Sequence, residues 1–380
     1  MHTIVFTGGG TGGHIYPGIA VADELKKLAA VDGCSIRIFW IGFSGGMDKS
    51  IIEKSSSDNG YTVIDGFYGI PAGKLRRYFS FRNIIDLFKI AGGFIASFFI
   101  LLKLKPDVLF SKGGFVSVPP CFSARLLGIP VYTHECDFTP GLATRINSKS
   151  AAHILVSYKE TESYLPSGVR GKVIVTGNPV RPVFYSAHPE TGLAFLGLDR
   201  GTMHKPLLLV LGGSSGAKQI NDLVLQNLDW LCSRFIVVHQ TGIHTEDSGV
   251  QHADYMPYQF IYAEMPHVIA AADVVLSRAG ANSLWECAVL GKPLVLIPLC
   301  GSGTRGDQVD NAEFFEKRKA ALVLTGRDAT SENLQKSLSF FEDEKSRMEY
   351  ASSCAGLASG KHPAVYIAEL IYKAVSGEKA

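Results

Sequence analysis

Three stretches of this chain combine small residues with a group able to hold an anion or move a proton. They are Gly8-Gly9-Gly10-Thr11-Gly12-Gly13-His14, Gly212-Gly213-Ser214-Ser215-Gly216-Ala217, and Ser277-Arg278-Ala279-Gly280-Ala281-Asn282-Ser283-Leu284-Trp285-Glu286. Glycines between a strand and a helix let the backbone approach a ligand closely, and the helix N-terminus offers N–H groups to phosphate. His14 stands at the entry to a helix, where an imidazole with an ordinary pKa of about 6.5 suits a general base. A packed or capping histidine is the plain alternative. Glu286 lies about one turn into the third helix, placed to accept from both hydroxyls of a ribose. There the plain alternative is an acid favoured by the helix dipole.

Two literal motif matches fit less well. Gly8, Gly10 and Gly13 satisfy G-x-G-x-x-G, but a dinucleotide site also needs an acid about 20 residues on, after the second strand. Here that strand, Ile36–Ile41, ends in Gly42-Phe43. Gly212-x-Ser214-x-Gly216 matches a hydrolase nucleophile elbow, with Asp307 and His362 as later triad partners. Its strand, Leu207–Leu211, is expected to open its sheet, whereas such elbows sit mid-sheet, and a hydrolase leaves the first glycine run unexplained. No Walker, H-E-x-x-H or Asp-x-Asp pattern occurs, so neither a metal nor a cofactor is expected.

The surrounding elements must position these loops. Short apolar runs alternate with amphipathic stretches along all 380 residues. Thr3–Thr7, Ile36–Ile41, Asp107–Ser111, Pro130–Thr133 and His153–Ser157 read as buried strands, with helices at Gly18–Leu28 and Ile84–Leu104. The pattern restarts with strands at Leu207–Leu211, Phe235–Val238, Asp273–Leu276, Leu294–Pro298 and Ala321–Leu324, and helices near 218–231, 282–290 and 307–318. Such alternation predicts an α/β fold of two Rossmann-like, doubly wound domains facing a central cleft. The predicted domains are 1–177, 178–362, and a terminal helix in 363–380 that packs back on the first. His134 and Glu135 are expected to point into the cleft.

Composition narrows the class. Hydrophobic residues make up 46% and charged residues 19%, enough for large cores and against disorder. The net charge of +2 argues against a nucleic-acid binder, yet residues 1–177 carry +6 and the remainder −4. Seven scattered cysteines with no C-x-x-C pair read as reduced thiols. The N-terminus enters an apolar run and a glycine loop at once, leaving no room for a signal peptide. The longest apolar run, Ile90–Leu102, is thirteen residues, short of the roughly 20 needed to span a bilayer. Just before it, Lys74, Arg76, Arg77, Arg82 and Lys89 are interleaved with Tyr78, Phe79, Phe81 and Phe88. A basic, aromatic patch of this kind suits an anionic membrane surface, with about 1 kcal/mol per basic residue. The plain alternative is a core helix with a solvated start.

Taken in order, GGGTGGHIYPGIAVADEL, SKGGFVSVPP, LGIPVYTHECD, VTGNPVR, LGGSSGAKQIN, SRAGANSLWE and RGDQVDNAEFF closely resemble the landmarks of the MurG-type N-acetylglucosaminyltransferases. They span residues 8 to about 315, most of the chain. The resemblance implies a GT-B type glycosyltransferase that moves GlcNAc from UDP-GlcNAc to the C4 hydroxyl of undecaprenyl-diphosphate-MurNAc-pentapeptide, turning lipid I into lipid II. It further implies inversion at the anomeric carbon, no metal, and a peripheral place on the cytoplasmic face of the membrane, in a cell-wall synthesis complex.

Carried over residue by residue, Thr11, Gly12 and Gly13 face the acceptor diphosphate and donor sugar, with His14 as base. Arg181 and Ser214 hold the donor diphosphate, and Tyr262 meets the uracil. Ala281, Asn282, Ser283, Leu284, Trp285 and Glu286 hold diphosphate and ribose, and Gln308 the sugar hydroxyls. The basic, aromatic patch, read from composition and not from the family, assigns membrane contact to Arg76, Arg77, Phe79, Arg82 and Phe88. The chain departs from the family at His134-Glu135-Cys136-Asp137, where His-Glu-Gln-Asn is usual. Asp137 can accept from a sugar hydroxyl but not donate. Asn282, Ser283 and Tyr262 also differ from the common residues. Rival readings are a non-hydrolysing UDP-sugar epimerase or a glycolipid glycosyltransferase of the same plan, and a non-catalytic membrane scaffold.

Overall fold

Alternation at the N-terminus produces β1 (His2–Thr7), whose Ile4 and Phe6 enter one core and Val5 another. Six further strands follow: β2 (Ile36–Phe43), β3 (Gly66–Ile70), β4 (Val108–Ser111), β5 (Val131–Glu135), β6 (His153–Val156) and β7 (Val173–Val175). All pair in parallel in the order β3-β2-β1-β4-β5-β6-β7. The order reverses between β1 and β4, the switch point beside which such sheets bind ligands. The structure is a computed structural model describing the chain apart from residues 55–59, 74–80, 214–215, 244, 246–248, 302–303 and 378–380, and the side chains of 81–85.

The chain forms two units, one of Met1–Arg181 with Lys361–Ala380 and one of Pro182–Gly360. On one face of the first sheet, the helices Tyr16–Val31 and Pro363–Ser376 cover Ile4, Phe6, Trp40 and Phe110. Ala364, Ile367, Ala368 and Ile371 of the terminal helix are buried in that core. Pro363 packs on Gly177, whose φ of 79° and missing side chain admit it: a Cβ would lie 2.8 Å from the proline ring.

The second unit repeats the plan with β8 (Leu207–Leu211), β9 (Ile236–Gln240), β10 (Tyr255–Tyr258), β11 (Val274–Ser277), β12 (Leu294–Leu296) and β13 (Ala321–Val323). Their order is β10-β9-β8-β11-β12-β13, all parallel. β8 therefore sits inside its sheet, contrary to the expectation that Leu207–Leu211 opens it, because sequence order and spatial order differ in a doubly wound sheet. The helix expected over 218–231 is two helices, Lys218–Gln226 and Leu228–Arg234. Asn227 breaks it: its side-chain amide donates to Leu223 O and Ser331 Oγ instead of extending the helix.

The helix expected at Ile84–Leu104 is observed as Phe81–Leu104. Its Asp86–Leu104 segment, 19 residues with mean hydropathy 1.9, is long and apolar enough to cross a membrane by length and composition only, a test that the core helix of a soluble protein also passes. It docks through small residues. Gly93 lies so close to Pro71 that a Cβ would stand 2.3 Å from its carbonyl oxygen, and Ser97 Oγ donates to Gly93 O. The opposite stripe, Phe88, Ile95, Phe99 and Leu102, is exposed, Phe88 by 75%. Phe122 and Leu126 of the neighbouring helix Val118–Leu126 are exposed as well.

Candidate functional site

Each unit carries its polar loops at its own switch point. In the first, the turn after β1 is held from beneath. Gly8 O accepts from the buried Trp40 Nε1 at 2.9 Å. The fully buried Asp48 carboxylate accepts from Gly10 N at 3.0 Å and Phe43 N at 2.8 Å. A Cβ at Gly9 would stand 1.8 Å from Asp48 Oδ2, so the turn requires glycine there. A 3-10 turn, Gly12–His14, then leads into Tyr16–Val31. Thr11 is exposed; Gly12, Gly13 and His14 are half-buried.

His14 reaches across the switch point. Its Nδ1 lies 3.2 Å from Lys112 O, just past β4. A carbonyl only accepts, so Nδ1 carries the proton and the lone pair falls on Nε2. Gly114, at φ 78°, makes room: a Cβ there would be 3.0 Å from the His14 ring and from Gly9 O. Arg181 stacks its guanidinium 5.3 Å from the centre of the Tyr16 ring, placing it in this unit.

His134 and Glu135 differ from expectation, since both are buried and serve the local framework. Glu135 accepts from Cys136 N (3.0 Å), Asp137 N (3.1 Å) and Gly141 N (2.9 Å), fixing the loop before the helix Leu142–Ser150. His134 Nε2 donates to Gly177 O at 2.9 Å, and burial, with Lys112 nearby, holds its pKa well below the usual value. Asp137 is half-buried. Glu135, Cys136 and Asp137 could each offer a metal one atom, mutually within 4.8 Å, but both Glu135 oxygens already accept backbone N–H bonds.

In the second unit, Gly213 and Gly216 have φ of 82° and 80°. Ser214 lies outside the described residues. The helix Ala281–Val289 starts after Gly280, and its first backbone bond runs from Leu284 N to Gly280 O. Ala281, Asn282 and Ser283 thus supply the N-terminal N–H groups. Asn282, Ser283 and Glu286 are half-buried. Leu284 and Trp285 spend their side chains on the core, Trp285 edge-on to Phe315, so any ligand role for them runs through main chain. Gln308 opens the helix Asp307–Lys317, and its Oε1 accepts from Leu299 N at 2.9 Å, which directs its NH₂ to other acceptors. Asn311 ties the same helix to Ala279 O at 3.2 Å. Arg278 Nη1 donates to Gln219 Oε1 and Ile297 O, both at 2.9 Å, joining the loops after β11 and β12 to the helix Lys218–Gln226. Tyr262 is 70% exposed, its ring edge-on to Phe260.

For the elbow reading, Asp307 pairs with Arg305 at 3.1 Å and His362 belongs to the first unit. Of the membrane residues, Arg76, Arg77 and Phe79 lie outside the described residues and the Arg82 side chain is not described; Phe88 is exposed. Asp48, Trp40 and Lys112 were not singled out from sequence. An acid opening a short helix and a lysine before two glycines are the traces they leave there.

Comparison with known proteins now adds to this geometry. The glycosyltransferase family 28 N-terminal domain matches residues 4–156 and the family's C-terminal domain matches 207–368. The chain is 50% identical to the UDP-N-acetylglucosamine–N-acetylmuramyl-(pentapeptide) pyrophosphoryl-undecaprenol N-acetylglucosamine transferase of Treponema denticola, over 98% of this chain and 97% of that one. It is 42% identical to a transferase of the same name, numbered 2, from Bacillus cereus, over 88% of this chain and 90% of the relative. In fold it is similar to Acinetobacter baumannii MurG, with TM-score 0.73, 22% identity and coverage of 98% and 99%. A UDP-GlcNAc 2-epimerase from Neisseria meningitidis also shares the fold, with TM-score 0.64, 15% identity and coverage of 99% and 100%. Two matched domains and half-identical relatives spanning nearly the whole chain place it in glycosyltransferase family 28 and, within that family, in the MurG group.

Proposed function

We propose that this enzyme transfers N-acetylglucosamine from UDP-N-acetylglucosamine to the C4 hydroxyl of undecaprenyl-diphosphate-MurNAc-pentapeptide, a step of peptidoglycan synthesis. The observation that carries the reading is the 50% identity to the Treponema denticola transferase over 98% of the chain. Lys112 O orients His14 so that Nε2 takes the proton of the C4 hydroxyl. The hydroxyl oxygen bonds to C1 of the donor sugar as the C1–O bond to the diphosphate breaks, and UDP leaves from the opposite face with inversion. N–H groups at the start of Ala281–Val289, with Arg181, take up the leaving charge without a metal. Glu286 accepts from the ribose, Gln308 donates to the sugar, and Tyr262 lies against the uracil.

The apolar stripe Phe88, Ile95, Phe99 and Leu102, with Phe122 and Leu126, supports peripheral attachment of the first unit to the membrane that carries the acceptor. The test is UDP release from UDP-GlcNAc, in excess chelator, with and without a lipid-linked MurNAc-peptide. Release that needs the acceptor is expected. Release or 2-epimerisation without it favours the epimerase reading, and loss of activity in chelator defeats the metal-free mechanism.

A further inference from the structure

Tyr16 opens the helix Tyr16–Val31 between buried neighbours. Ile15, Pro17 and Gly18 are all buried, Gly18 so tightly that a Cβ there would lie 2.5 Å from the Trp40 ring. These anchors fix the backbone at Tyr16, yet its own ring stays 44% exposed instead of joining the core. Two contacts define where the ring lies. It packs against Gly12, where a Cβ would stand 3.1 Å from its Cε2, and the Arg181 guanidinium lies over it, 5.3 Å from its centre. Arg181 leaves a segment that is equally fixed. Asn178 and Val180 are 1% and 3% exposed, and Gly177 O accepts from His134 Nε2. Arginine is among the side chains that lose most rotamer freedom when ordered. A guanidinium held in place before its ligand arrives therefore binds more tightly than one ordered on binding. The face of an aromatic ring can hold it electrostatically without using any of its N–H donors.

We propose that Tyr16 is a positioning residue for the donor: its ring, seated on Gly12, holds the Arg181 guanidinium ready for the diphosphate of the sugar nucleotide. This rests on the donor role proposed for Arg181 above. It gives Gly12 a duty besides close approach to a ligand, since the missing side chain there leaves space for the ring. The turn that carries His14 then also supports the donor contact.

The experiment uses the whole enzyme and a double-mutant cycle between Tyr16→Leu and Arg181→Ala, read as donor KM. Tyr16→Leu should raise the KM for UDP-GlcNAc by about two- to ten-fold, the range a cation–π contact allows. Tyr16→Phe, which keeps the ring, should restore it. In the Arg181→Ala background the same leucine should change donor KM by less than about two-fold, because the ring then has no guanidinium to position. The pH dependence of kcat should stay as in wild type, since Lys112 O still aims His14. Tyr16→Gln gives the same reading should the leucine disturb folding. The proposal is overturned if Tyr16→Leu leaves donor KM unchanged where Arg181→Ala raises it, if the two effects multiply, or if the pH profile shifts. An Arg181→Ala variant with wild-type donor KM defeats the donor role of Arg181 itself, and the proposal with it.

Discussion

His14 Nδ1 stands 3.2 Å from the Lys112 carbonyl oxygen, so the residue that ends the turn after β1 is aimed by the residue that follows β4. Removing the imidazole should therefore remove the base and little else. His14→Ala is expected to lower turnover by about 10²–10⁴, with UDP affinity near normal in a direct binding assay. A matching fall in UDP affinity would make His14 a structural residue.

Asp48 should matter as much as the turn it supports. Asp48→Ala leaves Gly10 N and Phe43 N without their carboxylate, at about 1–3 kcal/mol for each buried group left unpaired. Gly9→Ala forces a methyl to within 1.8 Å of Asp48 Oδ2. Both should unfold at lower denaturant and lose most activity. Wild-type stability and rate in Gly9→Ala would contradict the packing.

Donor recognition is tested by Glu286→Ala and Arg181→Ala. Each removes a charged partner of a polar ligand, worth roughly 1.5–3 kcal/mol, or about ten-fold or more in affinity. The Michaelis constant for UDP-GlcNAc should rise in both. Unchanged donor saturation would sink the assignment.

Membrane docking can be separated from chemistry. Phe88 and Phe99 are 75% and 63% exposed, so Phe88→Asp with Phe99→Asp should abolish flotation with anionic vesicles while activity on a soluble acceptor persists. Arg76, Arg77 and Arg82 changed together to Glu should weaken binding most at low salt. Equal binding of wild type to neutral and anionic vesicles would refute the electrostatic part.

Acid should loosen the second unit through His239. It is fully buried, lying 3.1 Å from Asn221 Oδ1 and 3.0 Å from the Tyr255 hydroxyl, and burial lowers its pKa to about 4. The unfolded chain, titrating at about 6.5, binds a proton that the folded chain refuses. Stability present above that pH is lost as pH falls, by about 2 kcal/mol at pH 5. Urea titrations at pH 7 and pH 5 should show a smaller drop in His239→Gln; an identical drop would put the acid sensitivity elsewhere.

The glycine turns and the strands leading to them are readable in the sequence because β1 and β8 are buried on both faces and so are continuously apolar. The edge strands β3 and β10 escape notice, since Gly66–Ile70 carries two glycines and Tyr255–Tyr258 a proline. Support for the turn after β1 is hidden for another reason. Asp48 bonds a residue 38 positions away, and a lysine in a string of letters reads as surface until its burial is seen. Glu135 errs in the opposite direction. Its position after a strand suggests ligand contact, while its oxygens are used up within six residues.

The terminal helix imposes an order on synthesis. Residues 1–181 emerge from the ribosome with β1 to β7 complete but without Ala364, Ile367, Ala368 and Ile371, which close their core. The whole of Pro182–Gly360 must be translated before those side chains arrive. During that interval the second unit can fold on its own contacts, whereas the first waits with an uncovered apolar face. The half that holds His14 is thus the first to be made and the last to be finished.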